Sequence, residues 1–284
     1  MADHANAAGR FPPDIDMNTP SVARMYDAML GGKDHFTSDR RGMDLLEEVN
    51  PGTIALARAN RAYLVRAVDH VAREAGVRQF LDLGSGLPTA DNTHQIAQRT
   101  HSGASVVYID NDPIVLAHGR AILADNPTTS VATADLCDVD AVLGAEDTQR
   151  LIDFDQPVCV MLVSLLHCIP DDADPFGIVR GYFDRLPSGS HLVYSHIVSD
   201  DEKAAREFTD RVLSFGTTWG RVRSPEEAAR AFTGLELVTP DAAGRHPAVP
   251  VECSTWRNGD ASPEPRPADL DVKLWEHAGV AVKP

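Results

Sequence analysis

The stretch Asp82-Leu83-Gly84-Ser85-Gly86 puts one carboxylate and two glycines within five residues. Glycines let a backbone turn sharply and come close to a ligand with no Cβ in the way. Asp110 follows 24 residues after Gly86, with Asn111 beside it, and Asp135 comes later, next to Leu136. If each acid ends a β-strand, Asp110 can accept from both hydroxyls of a ribose. Asp135 can accept from an adenine amino group while the loop backbone reads the ring nitrogens. Ser164, near the end of the apolar run from Val158 to Leu165, is counted with these groups. A lone Gly-x-Gly is weak; the three signals in this order point to an adenosine ligand.

Two further groups could do chemistry. His167 lies just past the apolar run, where a general base, or a donor that orients an acceptor atom, would be wanted. A hydrogen-bonded structural histidine is the competing reading. Tyr26, with Arg24, Asp27, Lys33 and Asp34, forms a dense polar cluster near the N-terminus. It reads as a lid in which Arg24 and Lys33 grip a carboxylate and Tyr26 joins His167 as a catalytic candidate. A capped surface helix is the alternative. Asn60 and Arg61 read as a solvated helix face, and His94, His191 and His196 as structural. Trp256 either walls a pocket or anchors its loop. Asp171, Asp172 and Asp174 read as solvated loop charges; a magnesium site there lacks a clear third ligand, and no metal is expected.

These groups need elements to hold them. The first 18 residues read as disordered. A helical cap follows over residues 19–75: a helix from Ser21 to Leu30 stopped by Gly31-Gly32, one from Ser38 to Val49, and one from Asn50-Pro51 to about Ala75. From residue 76 to 284, strands alternate with helices. Strands are expected at Arg78–Leu83, Ser105–Ile109, Ser130–Ala134, Val158–Leu165, Ser190–His196, Leu235–Val238 and Leu274–Val282. Helices are expected from about Thr89 to Thr100, over Pro113–Ala124, Leu143–Leu151, Pro175–Leu186, Asp200–Phe215 and Ser224–Phe232. This is an α/β fold: a Rossmann-like, doubly wound, mostly parallel sheet of seven strands, the last antiparallel. In such a sheet ligands bind beyond the carboxyl ends of the strands. The Pro-rich stretch 240–270 is expected to help the cap shape an acceptor pocket.

The turn also separates two adenosine ligands. NAD sites use Gly-x-Gly-x-x-Gly with the pyrophosphate on the helix N-terminus. Here Gly84-Ser-Gly86-Leu-Pro88-Thr89 lacks the third glycine, and Asp82 precedes the turn where dinucleotide sites carry an apolar residue. S-adenosylmethionine (SAM) has no phosphate and carries an ammonium and a sulfonium, which suit an acidic pocket.

Asp82 to Thr89, Asp110, Asp135 and Leu165-Leu166-His167-Cys168-Ile169-Pro170-Asp171 resemble class I SAM-dependent methyltransferases. Longer stretches resemble a narrower bacterial family of S-adenosyl methyltransferases, long carried as a domain of unknown function. These are Pro20 to Asp27, Gly31 to Phe36, Asn60 to Leu64 and Gly86 to Asn92, and the resemblance runs over nearly the whole chain. In that family Pro88-Thr89 is the usual form of the turn. The resemblance implies the fold and SAM as cofactor, and names no substrate. Direct transfer of a methyl group to O, N or C of a small molecule is the reading it supports. A SAM-binding protein without catalysis and an NAD-dependent oxidoreductase are the alternatives.

A net charge of −16 argues against nucleic acid or anionic lipid as an undirected partner. The longest apolar run is too short to span a bilayer. The four cysteines form no Cys-x-x-Cys pair and read as free thiols of a reducing compartment, so a cytoplasmic protein is expected. The oligomeric state is left open.

Overall fold

The computed structural model describes residues 16–88, 91–123, 126–264 and 272–284. The expected disorder up to residue 15, the helix start at Thr89 and the stretch 265–271 of the Pro-rich segment lie outside the described residues. The chain opens with α1 (Val22–Leu30), α2 (Thr37–Val49) and α3 (Thr53–Arg73). Gly31 stops α1 in the left-handed region, at φ 79°. Then β1 (Gln79–Leu83), α4 (Thr93–Thr100), β2 (Ser105–Asp110), α5 (Pro113–Leu123) and β3 (Thr129–Thr133) alternate. Two short helices, α6 (Val139–Gly144) and α7 (Glu146–Leu151), stand where one was expected, divided at Ala145. They are followed by β4 (Cys159–Val163), α8 (Pro175–Phe183), β5 (His191–Val198), α9 (Glu202–Leu213) and α10 (Pro225–Ala228). Three short pieces close the chain: β6 (Glu236–Leu237), β7 (Val251–Glu252) and the longer β8 (Trp275–Val282).

The sheet order is β3-β2-β1-β4-β5-β8-β6, with β7 also paired to β8. Strands β1 to β5 are parallel, and β8 is antiparallel to β5, as expected of the last strand. Among the described residues the sheet has eight strands: β7, in the Pro-rich segment, carries no signal at two residues long. It adds to β8 beside Ala278 and His277 while β6 pairs further along the same edge at Val282 and Ala281. Successive side chains of a strand point to opposite faces. Accordingly Phe80, Val106 and Met161 meet Tyr63, Ala67 and Val71 of α3 in one core. Leu81, Val107 and Val160 meet Phe176, Val179 and Tyr182 of α8 in the other.

The cap is fastened by one buried acid. Asp39 accepts from Arg24 Nε at 2.8 Å, from the Phe36 N–H at 2.7 Å and from the Ser21 N–H at 2.9 Å. Arg24 is 5% exposed and Asp39 0%, so water cannot replace either partner. Removing one member of a buried pair typically costs about 3–5 kcal/mol because the other is left uncompensated. Asp39→Ala should therefore lower the urea unfolding free energy by about that much. A loss under about 1 kcal/mol would show that another contact fastens the cap.

Candidate active site

The carboxyl edge of the sheet is shaped by the turn after β1. Register pairs Leu83 with Ile109, so the ends of β1 and β2 lie side by side. The Gly84 N–H donates to the Ile109 carbonyl at 2.8 Å, with Gly84 at φ 62°. A Cβ on Gly84 would lie 2.5 Å from Leu165 Cδ1. Gly86, at φ 64°, donates its N–H to Asp110 Oδ2 at 2.9 Å. The Asp112 N–H donates to Asp110 Oδ1, also at 2.9 Å. Each oxygen of Asp110 thus takes one backbone donor and keeps a lone pair for a ligand. Burial, only partly offset by these N–H groups, holds its carboxyl above the usual carboxylate range.

Asp82 is buried near the end of β1 and accepts from Thr93 Oγ1 at 2.6 Å. Burial pushes its carboxyl up to about 6, against the Thr93 hydrogen bond and the nearby charge of Arg61. Arg61 reaches the same turn from α3, donating to the Asp91 carbonyl at 2.8 Å.

Beyond these residues lies a cavity of about 470 Å³ between the sheet edge, α1 to α3 and α9. That is small-ligand size. The turn residues Asp82, Gly84, Ser85 and Gly86 line it, as do Asp110 and Asn111 after β2 and Asp135 and Leu136 after β3. Ser164, Tyr26 and His167 line it from the other side. Strand β3 ends at Thr133, so Asp135 stands two residues into the loop, exposed, and not at the strand end expected of it.

Two expected cofactor residues are not brought there. Arg24 does not line the cavity: Asp39 and the carbonyls of Asp16 and Thr19 occupy its guanidinium. Lys33 is exposed, in the loop after α1, away from the cavity wall. Arg61, by contrast, lines the cavity. Asn60 and Arg61, read as a solvated face, both line the cavity, and Asn60 is 1% exposed. The signal that could have found them was their place in the family stretch Asn60 to Leu64. Trp219 also lines the cavity, and nothing in its sequence neighbourhood announced it.

A buried polar chain backs the site. Tyr26 donates to the Ala57 carbonyl at 3.1 Å and accepts from Asn60 Nδ2 at 3.0 Å. Ser195 Oγ donates to Asn60 Oδ1 at 2.6 Å, and the Ser164 N–H donates to Ser195 Oγ at 2.9 Å. Ser164, held at φ 55°, donates its hydroxyl to Glu276 Oε1 at 2.5 Å. The chain thus links cap, α3, β5, β4 and β8. Glu276 is fully buried, and burial lifts its carboxyl to about 8.

His167 is 2% exposed, and its Nδ1 accepts from the Ile197 N–H at 3.2 Å. Burial first, then the nearby His196 and Arg223, hold it well below the usual histidine range. A neutral ring that accepts at Nδ1 carries its proton on Nε2 and is a donor at that atom. His196 is structural: Nδ1 meets the Ile197 carbonyl and Nε2 meets Arg223. Asp171 is exposed and also pairs with Arg221 and the buried Arg223, while Asp174 caps α8. Trp256 is an anchor. It is fully buried against Tyr63 and His70, and Arg66 holds its carbonyl. None of the described residues 240–264 lines the cavity, so that segment does not shape it; α9 and the residues before Trp219 do.

The folded chain keeps a proton on Glu276 that an unfolded chain, with a carboxyl near 4.5, releases. Stability from that proton is whole below about 4.5 and is lost as pH rises through about 8. Glu276→Gln carries no such loss. Its Tm should exceed that of the parent at pH 9 and converge with it by pH 5. A gap of constant size across that range would contradict a buried protonated Glu276.

A family model described as S-adenosyl methyltransferase matches residues 8–284. A crystal structure from Thermobifida fusca YX, assigned as a methyltransferase, is 40% identical. It covers 96% of this chain and 98% of its own, with a TM-score of 0.82. A DUF574 family protein from Streptomyces avermitilis MA-4680 is 35% identical over 95% of this chain and 99% of its own, with a TM-score of 0.79. A search of curated proteins finds no match. The glycine turn, the strand-end acids and the match over nearly the whole length agree: the chain belongs to the S-adenosyl methyltransferase family, whose members use SAM as methyl donor.

Proposed function

We propose that the cavity binds SAM along the carboxyl edge of the sheet and passes its methyl group to a small-molecule acceptor. The observation that carries this reading is the closed turn, in which Gly86 and Asp110 are joined while Asp110 keeps free lone pairs. Asp110 would hold the ribose hydroxyls, and Asp135 with the Leu136 backbone the adenine. Asp82 would face the ammonium and Arg61 the carboxylate of the methionine end, with Gly84, Ser85 and Ser164 framing it. Asn111 would border the ribose.

When bound, SAM supplies an electrophilic methyl group on a sulfonium. The protein's share is alignment and exclusion of water. The cap, taken as residues 19–75, closes the cavity through Tyr26 and Asn60 and is rooted in the sheet by α3. Among the described residues no helix is long and apolar enough to cross a membrane. Four free cysteines support a cytoplasmic enzyme.

Removing the ribose acceptor should be costly. Asp110→Ala takes away a charged hydrogen-bond partner and should weaken S-adenosylhomocysteine (SAH) binding by about one to two decades in titration calorimetry. Unchanged affinity would remove Asp110 from the ribose site.

The Asp82 carboxyl, at about 6, is charged only above that pH. SAH affinity should therefore fall between pH 7 and pH 5 in the parent. The fall should be absent in Asp82→Asn, which binds weakly throughout. A parent profile as flat as the variant's would contradict the ammonium assignment.

A further inference from the structure

The two ends of the cavity differ in kind. At the turn end stand Asp82, Asp110, Asp112, Asp135 and Arg61. Past Ser164 the wall changes to Met25, Met29, Ile197, Phe208, Val212 and Trp219, which pack as one buried cluster. The single ionisable carboxylate on that side, Asp27, is occupied by His35 Nδ1 at 2.8 Å and the Asp34 N–H at 3.0 Å. A charged acceptor molecule would lose its hydration there and find no counter-charge.

Two ring N–H groups, of His167 and Trp219, belong to this end. The His167 ring lies against the Trp219 indole, with ring centroids 4.8 Å apart. His167 lines the cavity and its Nδ1 is taken by the Ile197 N–H, which leaves Nε2–H as the ring's donor. The Trp219 indole N–H is buried and has no partner among the described residues. Tyr26 spends its own hydrogen on the Ala57 carbonyl, and Asp27 is held by His35 and the Asp34 N–H.

This combination selects among nucleophiles. A neutral amine attacks with its one lone pair, and an N–H donor aimed at that pair would block it. A carboxylate would bury a full charge with no cation at hand. An oxygen that ionises easily has lone pairs to spare: one can accept from His167 while another attacks. We propose that the methyl acceptor is an apolar hydroxyarene or enol, methylated on oxygen, with that oxygen held by His167 Nε2–H and its body between Trp219, Phe208 and the cap methionines. The acceptor enters as the neutral hydroxyl. Its oxygen forms a bond to the methyl carbon as the carbon–sulfur bond breaks and that electron pair returns to sulfur, and the hydroxyl proton passes to solvent water. This rests on the methyltransferase reading of the same cavity.

The test uses the whole chain saturated with SAH and three probes on one frame: 2-naphthol, 2-naphthylamine and 2-naphthoate. Calorimetry at neutral pH should rank 2-naphthol tightest by about tenfold, the worth of one hydrogen bond. His167→Phe should lose about that tenfold for 2-naphthol with SAH affinity intact, and His167→Gln, which keeps an N–H donor, should restore most of it. Equal binding of the three probes, or undiminished 2-naphthol binding in His167→Phe, overturns the acceptor class and leaves the methyltransferase reading standing. Failure of the parent chain to bind SAH overturns the underlying reading itself, and the acceptor class with it.

Discussion

The hydrogen bond from the Gly86 N–H to Asp110 is the constraint on which the rest of the site depends. It joins the turn after β1 to the end of β2 and can form only because the parallel register brings Leu83 beside Ile109. It also fixes both glycines at positive φ, where a side chain would be strained, and at Gly84 would strike Leu165. Every other cavity group is placed relative to this corner. Asp82 sits beneath it, Arg61 and Asn60 arrive from α3, and Ser21 of the cap reaches Asp112 at 3.2 Å.

The same edge divides the cavity electrostatically. Acids gather where a cationic donor molecule would lie, while a buried chain from Tyr26 to Glu276 supports the floor without presenting a free charge to the apolar end. Holding Glu276 as a neutral acid avoids the large cost of a buried, unpaired carboxylate. In the same way burial keeps His167 and His196 neutral, and the Ile197 N–H holds His167 at Nδ1. The division of labour therefore follows from where water is excluded.

Much of the frame was legible in the chain. The continuous apolar run of β4 and the Gly turn after β1 are local signals, and they fixed the parallel core and the positions of Asp82, Gly84, Gly86 and Asp110. Arg24 lies elsewhere because an acid 15 residues away, Asp39, buries its guanidinium, which spacing cannot reveal, and Lys33 sits exposed in the loop after α1. Arg61 looked like one charge among many on an amphipathic helix; only the docking of α3 on the sheet turns it to the site. Asp135 was displaced because β3 stops short of it. Trp256 and the segment around it pack against α3, a long-range contact with no local mark. The role of His167 depends on the Ile197 N–H, 30 residues away, which fixes its tautomer.

The most direct test of the central claim, that the Gly86–Asp110 corner seats SAM with its sulfur toward His167, is a crystal structure of the chain with SAH. The account predicts both ribose hydroxyls on Asp110, the methionine end between Asp82 and Arg61, and the sulfur facing the apolar chamber beside His167 and Trp219. SAH lying elsewhere, or reversed so that adenine meets Arg61, would contradict it.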